Sequence, residues 1–507
     1  MGSPAARAKS SENRGWTFIK DTPMLNTLLA SKKTKILATL GPASSSMEMM
    51  EKLLKSGVNA FRLNCSHAPM EKLAPLVNQI RAASGKTQIP CSIVMDLQGP
   101  RLRIGNLEGG KPIPLIQGSK IRITTRPILG TPSEIPTDFK KLPQAVSLKS
   151  KILLDDGSKV LQVVKKGDNF VDCEVVVGGM LAEHKGMNLP GADIDLPALT
   201  RKDIEDLKVG IKMGISHVAL SFVRRPEDVI LAKKILKASN SPMNIIAKIE
   251  HPLGIENLDS ILKFSDGIMV ARGDLAVELS PAEVPSLQKQ MVKKANEMGK
   301  LGIVATQMLE SMISKSTPTR AEASDVANAI YDGADVVMLS AETAVGKYPI
   351  EAVSIMADII QKAENSPFRY NNIPHGINDN SKTGFANALA RAAHDACDVT
   401  GASAVIVYTM TGWSAKVMSK YRPNAPIYAL TPLVSTFNQL ALYWGITPVI
   451  CPLGNSTDQM LGYGEKILSK KGFIKNGQTV LITAGGTAKH KASNMLKIMV
   501  VGSQTYR

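Results

Sequence analysis

Lys248 and Glu250 stand two apart in the apolar run NIIAKIE (244–250), and DGIMVARGD (266–274) ends on Asp274 beside Gly273. Residues two apart on an extended strand leave the same face, so Lys248 and Glu250 are expected side by side. Two carboxylates from neighbouring strands make a hard-oxygen site of low ligand count. Such a site suits Mg2+ (or Mn2+), which completes its shell with water and substrate oxygens. Gly273, lacking a Cβ, lets its backbone N–H approach a ligand closely. The plainer alternative is that the acids are salt-bridged to Lys248 or Arg272. A second constellation, Arg62-Leu63-Asn64-Cys65-Ser66-His67, alternates Arg62, Asn64 and Ser66, which share one face if the strand runs that far. A guanidinium there can fork onto phosphate, and the amide and hydroxyl can bind a cation through oxygen. His67, just past the strand, reads by itself more readily as an ordinary loop or core histidine than as a ligand contact.

Residues like these need a scaffold that brings them together. Eight short apolar runs, each ending in a polar residue, recur along the chain: KILATLG, VNAFRLNCSH, CSIVMDLQG, HVALSFV, NIIAKIE, DGIMVARGD, GIVATQM and DVVMLSAET. Continuous apolar strands alternating with helix-like sequence imply a parallel sheet covered by helices, and eight of them a closed (β/α)8 barrel. Chemistry gathers at the C-terminal strand ends of such a barrel. Here the ends supply Thr39, Arg62, Asn64, Asp96, Ser221, Lys248, Glu250, Arg272, Asp274, Thr306, Ser340 and Glu342. Any one of these could merely mark where a strand meets water; their convergence is what suggests a site.

The rhythm breaks once, between MDLQG and HVALSFV. There KIRITTR, KILLDDGSKVLQVVKKG and NFVDCEVVVGG read as β-hairpins joined by DG and GD turns, an insertion placed to act as a mobile lid. NSPFRYNNIPHGINDNSKTG (365–384) reads as a linker, and ASAVIVYT, APIYALT, ITPVIC and QTVLITAGG as the strands of a further α/β unit. The expected organisation is therefore an α/β fold: a TIM barrel with an inserted β-barrel lid domain and a C-terminal α/β domain. Residues 1–31 form a tail and lead-in, 32–98 and 197–366 the barrel, 99–196 the lid and 367–507 the C-terminal regulatory unit.

The formal charge of +17 points to an anionic partner without choosing among nucleic acid, membrane and phosphorylated metabolite. An aromatic content of 4% argues against a single-stranded nucleic-acid binder, which needs stacking platforms. Five dispersed cysteines without a CxxC pair indicate a reducing compartment, hence a cytoplasmic location, and no apolar run reaches membrane-spanning length. The polar, basic first residues read as a plain tail in preference to a transit peptide.

RLNCSH, DLQGP, KGMNLPG, AKIEHPLGIENLD, DGIMVARGDLAVE, ATQMLESM, PTRAEASDVANAIYDGADVVMLSAET and YRPNAPI, in this order, resemble the pyruvate kinase family. The resemblance runs from about Thr34 to the final strand. It implies phosphoenolpyruvate and ADP as substrates and Glu250 and Asp274 as Mg2+ ligands. It further implies that Lys248 neutralises the phosphoryl group in flight while Arg62 holds its oxygens. The Gly273 and Asp274 N–H groups and the Thr306 hydroxyl would secure the substrate carboxylate. His67, Arg103 and Lys185, with Asn64 beside them, would meet the nucleotide. Asn64, Ser66, Asp96 and the Leu97 carbonyl correspond to the family's monovalent-cation site. The family also implies a homotetramer. The proton donor to the enolate is open, with Thr306 and Ser340 as candidates through a water chain.

Three positions depart from the family's pattern. Gln98-Gly99-Pro100-Arg101 stands where many members have a lysine and a glutamate, so Arg101 is expected to replace the potassium charge and make K+ dispensable. His251 replaces the usual asparagine after a metal ligand and reads as an ordinary hydrogen-bonded histidine. Thr409-Met410-Thr411-Gly412-Trp413-Ser414 resembles a phosphate-cradling effector loop for a sugar phosphate or nucleotide, with Thr409, Thr411 and Ser414 as its donors. Met410 and Trp413 depart from the more basic versions of that loop, and Lys489-His490-Lys491 could restore its charge. Two rival readings fit parts of the sequence. A metal-dependent aldolase of the pyruvate-enolate class would have no use for the lid, Arg103 or Lys185. An inactive paralogue acting as a binding protein would have no reason to keep Lys248, Glu250, Asp274 and Thr306.

Overall fold

The computed structural model describes residues 32–192, 197–370, 384–454, 456–484 and 495–503. Residues 1–31, much of the 365–384 linker and the Lys489-His490-Lys491 segment lie outside them. Eight parallel strands close into a barrel: β1 (Lys35–Thr39), β2 (Ala60–Asn64), β3 (Ser92–Asp96), β4 (His217–Leu220), β5 (Asn244–Ile249), β6 (Gly267–Ala271), β7 (Leu301–Ala305) and β8 (Val336–Leu339). Every strand pairs with its sequence neighbours, and β1 pairs β8 to close the ring. The helices between them are started by sequence signals. Thr200 and Asp203, and Thr319 and Glu322, form reciprocal capping boxes at two of them, each cap contributing about 1 kcal/mol.

The period-2 alternation of each strand sorts its residues into two sets. Ile36, Phe61, Met95, Val218, Ile245, Ile268, Val304 and Val337 face outward onto the helices. Leu37, Ala60, Val94, Ala219, Ile246, Met269, Ile303 and Val336 face inward. One inward step above this apolar layer come Thr39, Arg62, Asp96, Ser221 and Lys248, and on β8, one step further past Met338, Ser340. One inward step below it come Lys35, Ser92, His217 and Asn244. The barrel interior is thus apolar in the middle and polar at both ends, and the C-terminal domain covers the lower end. Lys35 Nζ donates to the Ile446 carbonyl at 2.8 Å, Ser92 Oγ to the Asn438 carbonyl, and the Lys416 ammonium lies 4.9 Å from the Tyr443 ring centre. Beside them the fully buried Lys420 and the nearly buried Arg422 both clasp Asp335, Arg422 at 2.8 Å.

The insertion carries a six-stranded sheet and a two-stranded ribbon around a core of its own. Its hairpins are those read from the sequence: Lys151–Leu154 pairs antiparallel with Lys159–Lys166, which pairs with Phe170–Val177. The DG turn holds Asp155, Asp156 and Gly157 all at positive φ. Chain entry into the lid passes Gly99, at φ +69, where a Cβ would come within 2.8 Å of the Ser221 Cβ. A side chain is therefore excluded there twice over. The C-terminal sheet has the four parallel strands expected, plus an antiparallel edge strand, Met495–Val500, that sequence reading missed.

Candidate active site

Lys248 is the hub of the barrel mouth. Its ammonium lies 3.0 Å from Glu250 Oε1 and 3.2 Å from Asp96 Oδ1, and it donates to Ser221 Oγ at 2.7 Å. Arg62 approaches Asp96 from the other side, Nε to Oδ2 at 2.6 Å, and donates to Thr39 Oγ1 at 3.2 Å. These groups are almost wholly withdrawn from water: the Asp96 and Glu250 side chains are each 2% exposed and that of Lys248 12%. Burial pushes the Asp96 carboxyl up, but Lys248 and Arg62 outweigh it and hold the group below its usual range. Burial pulls the Lys248 ammonium down, and Asp96 and Glu250 outweigh that and keep it protonated. Burial raises the Glu250 carboxyl, Lys248 opposes, and Asp274 adds like-charge repulsion.

Asp274 follows the next barrel strand, β6, so the two acids come from neighbouring strands of the mouth. Among the described residues no three His, Cys, Asp or Glu side chains converge as a metal site. A divalent ion held by Glu250 and Asp274 would therefore draw its remaining ligands from water and substrate, as magnesium does. The hard-oxygen donors fit that ion, and its charge would offset the like-charge repulsion between the buried Glu250 and the half-buried Asp274. Lys248 does bridge Glu250 and Asp96, so the salt-bridge alternative describes part of the site. Arg272 does not join in: it turns outward to Asp325 at 2.6 Å and donates to the Thr306 carbonyl at 2.6 Å.

Asp274 lies in the first turn of the helix Arg272–Glu278, which follows β6 directly. The Gly273 N–H donates to Thr306 Oγ1 at 2.9 Å. Thr306 itself sits at φ +70, a strained conformation for a β-branched residue, pinned by Arg272 from behind. Ser340 Oγ is buried and unpartnered among the described residues, while Glu342 is spent on the Ser340 and Leu309 backbone N–H groups. Glu342 is thus structural.

Around the rim the placements are more varied. β2 stops at Asn64, so Ser66 lies in a turn and does not continue the alternation; Asn64 Oδ1 instead accepts the Ser66 N–H at 3.1 Å. The Leu97 carbonyl accepts Ser221 Oγ at 2.7 Å. His67 is exposed. Arg103 donates to the His184 carbonyl at 3.0 Å, and the neighbouring Lys185 is held by Asp155 at 2.9 Å, both within the lid. Arg101 is exposed on the wall of the lid cleft that Asp274 and Glu278 also line, and makes no ion pair with another described residue. His251 caps the short helix after β5, its Nδ1 accepting the Leu253 N–H at 3.2 Å.

In the C-terminal domain, Thr409 Oγ1 accepts the Gly412 N–H at 3.0 Å, which shapes the loop ahead of the helix Trp413–Lys420. Gly412 takes φ +82 there, Thr411 is exposed, and Ser414 lies in the first helical turn.

Sequence reasoning missed the lid-to-barrel bond from Asn188 to Glu278 at 2.9 Å, and Asp325 as the anchor of Arg272. The KGMNLPG and TRAEASDVANA motifs contain Asn188 and Asp325 but give no hint of partners so distant in sequence.

Comparisons with known proteins agree with this fold. Residues 31–353 match the family model "Pyruvate kinase, barrel domain" and residues 387–499 "Pyruvate kinase, alpha/beta domain". The chain is 41% identical over 480 residues to a pyruvate kinase of Staphylococcus epidermidis, covering 93% of this chain and 81% of that protein. It is 42% identical over 475 residues to one of Geobacillus stearothermophilus, covering 93% and 80%. A crystal structure of a pyruvate kinase from Cryptosporidium parvum superposes with a TM-score of 0.86 at 35% identity, covering 94% of this chain and 97% of that one.

Proposed function

This chain belongs to the pyruvate kinase family, and from that premise we propose how its residues divide the work. It is a phosphotransferase that moves the phosphoryl group of phosphoenolpyruvate to ADP, giving pyruvate and ATP in the last step of glycolysis. The observation that carries the division of roles is the buried hub in which Lys248 bridges Asp96 and Glu250 at the barrel mouth.

Phosphoryl transfer asks for position and charge more than for covalent help. Lys248 and Arg62, fixed by Asp96 between them, hold two positive charges where the migrating group's oxygens pass. When bound at Glu250 and Asp274, Mg2+ (or Mn2+) supplies further positive charge to those oxygens. The Gly273 and Asp274 N–H groups and Thr306 Oγ1 hold the substrate carboxylate. Asn64, His67, Arg103 and Lys185 meet the nucleotide, Lys185 exchanging Asp155 for a phosphate oxygen as the lid closes. Closure excludes water from the transfer. Thr306 and Ser340 relay the proton that converts enolate to pyruvate.

Asp96, Asn64, Ser66 and the Leu97 carbonyl form the monovalent-cation subsite, with Arg101 supplying its charge, so K+ is dispensable. Thr409, Thr411 and Ser414 bind an anionic effector, a sugar phosphate or a nucleotide. The enzyme assembles as a homotetramer, supported by the exposed apolar Phe385 (72%) and Val399 (87%) on the helix Gly384–Thr400. It works in the cytoplasm, in keeping with five buried free thiols; no helix among the described residues is long and apolar enough to cross a membrane. An assay coupling pyruvate to lactate dehydrogenase, with phosphoenolpyruvate, ADP and Mg2+, tests the reading. Turnover is expected, and its absence would overturn it.

A further inference from the structure

A direct side-chain hydrogen bond ties the lid to the barrel: Asn188 Nδ2 donates to Glu278 Oε1 at 2.9 Å. Glu278 ends the helix Arg272–Glu278, one turn beyond Asp274, so both carboxylates lie on the same side of it. The adjoining contact is between Gly157 of the lid and Val277, whose methyls a Cβ on that glycine would meet at 3.5 Å. Asn188, Glu278, Asp156 and Asp274 line one cleft.

Glu278 is not placed there for stability. Its Oε2 is buried with no partner among the described residues, and burial raises the carboxyl while the Asn188 amide draws it down. Desolvating a carboxylate for a single hydrogen bond gains little or nothing over an apolar side chain. The arrangement makes sense as a contact formed and released with the lid. The helix is only seven residues long, too short to hold itself. Arg272 and the Gly273 N–H anchor its first turn on β7 and the Thr306 loop. The lid anchors its last.

We propose that Glu278 is a positioning residue: bonded to Asn188 of the lid, it fixes the helix that carries Asp274, so that lid docking and divalent-cation binding strengthen one another. The inference rests on Glu250 and Asp274 being the metal site. Linkage of this kind is reciprocal, so each event must tighten the other by the same factor.

The test uses the full-length enzyme without phosphoenolpyruvate or nucleotide. Mn2+ dissociation constants are measured by electron paramagnetic resonance, and amide exchange across residues 185–189 is followed with and without Mn2+. N188A and E278A are expected to bind Mn2+ about five-fold or more weakly, although neither removes a metal ligand, and to lose the protection Mn2+ gives the lid. E278Q keeps a carbonyl for the Asn188 amide and should stay within about two-fold of the parent. Mn2+ affinity and lid protection unchanged in N188A and E278A would overturn the proposal. D274N separates the two layers of the argument: if it binds Mn2+ as tightly as the parent, the metal assignment itself fails, and the inference with it.

Discussion

Lys248 is shared by two carboxylates that would otherwise repel each other in a nearly dry site. Replacing it with methionine keeps the volume and removes the charge. We expect kcat to fall about 10²–10³-fold, a loss typical of removing one preorganised charge from a transition state. Stability should fall by roughly 3 kcal/mol as buried acids lose a partner. Steady-state kinetics and urea unfolding read the two effects separately. Arg101 makes the opposite kind of prediction. Assayed without potassium, the parent should keep most of its rate, whereas R101E should need added K+. A parent rate that collapses until K+ is restored would sink the assignment. Much at this scale was legible in the sequence, because Lys248, Glu250 and Asp274 stand where apolar strands end. The second partner of Lys248, Asp96, comes from another strand and could not be read from spacing. Nor could the outward turn of Arg272, whose anchor lies 53 residues on.

At the scale of elements, the loop after β7 is held in a strained conformation by a helix it does not belong to. Arg272 bonds the carbonyls of Ala305 and Thr306, and Thr306 at φ +70 would relax without it. R272M should lower kcat/KM for phosphoenolpyruvate by about 10–100-fold through misplacement alone, with KM carrying much of the change. Asp325 serves to hold Arg272, so D325N should reproduce part of the defect; an unaffected KM in both variants would refute the account. In the C-terminal domain, T411A and S414A should flatten any activation by sugar phosphates or AMP in a metabolite screen. The strands and hairpins behind these sites were readable from runs and turns such as Asp155-Asp156-Gly157. The edge strand Met495–Val500 escaped because nothing in a short apolar run tells an edge strand from a loop tail.

The whole molecule is joined through the polar floor of its barrel, and there the sequence was silent. Lys35, Asp335, Lys420 and Arg422 meet only because three distant segments fold against one another. Burial lowers the Lys35 ammonium from its ordinary value to about 8. Below that pH both folded and unfolded chains carry the proton and the full cost of burying the charge is felt. Between about 8 and the unfolded value near 10.4 the unfolded chain binds more protons, so the contribution of Lys35 to stability rises with pH. K35M lacks this term. Unfolding free energies of parent and variant from urea titrations, compared from about pH 7.5 to 10.5, should shift in the parent's favour by an amount of order 1–3 kcal/mol. A constant difference across that range would show that Lys35 titrates normally.

The same floor has a consequence in time. Lys35 bonds to a carbonyl 411 residues further along the chain. At ordinary rates of synthesis about 20–80 s separate the emergence of the two. Throughout that interval the nascent barrel has its first strand but not the domain that covers its lower end. Its buried cations stay in water until the last quarter of the chain arrives, so the final fold of the catalytic barrel waits on the domain made last.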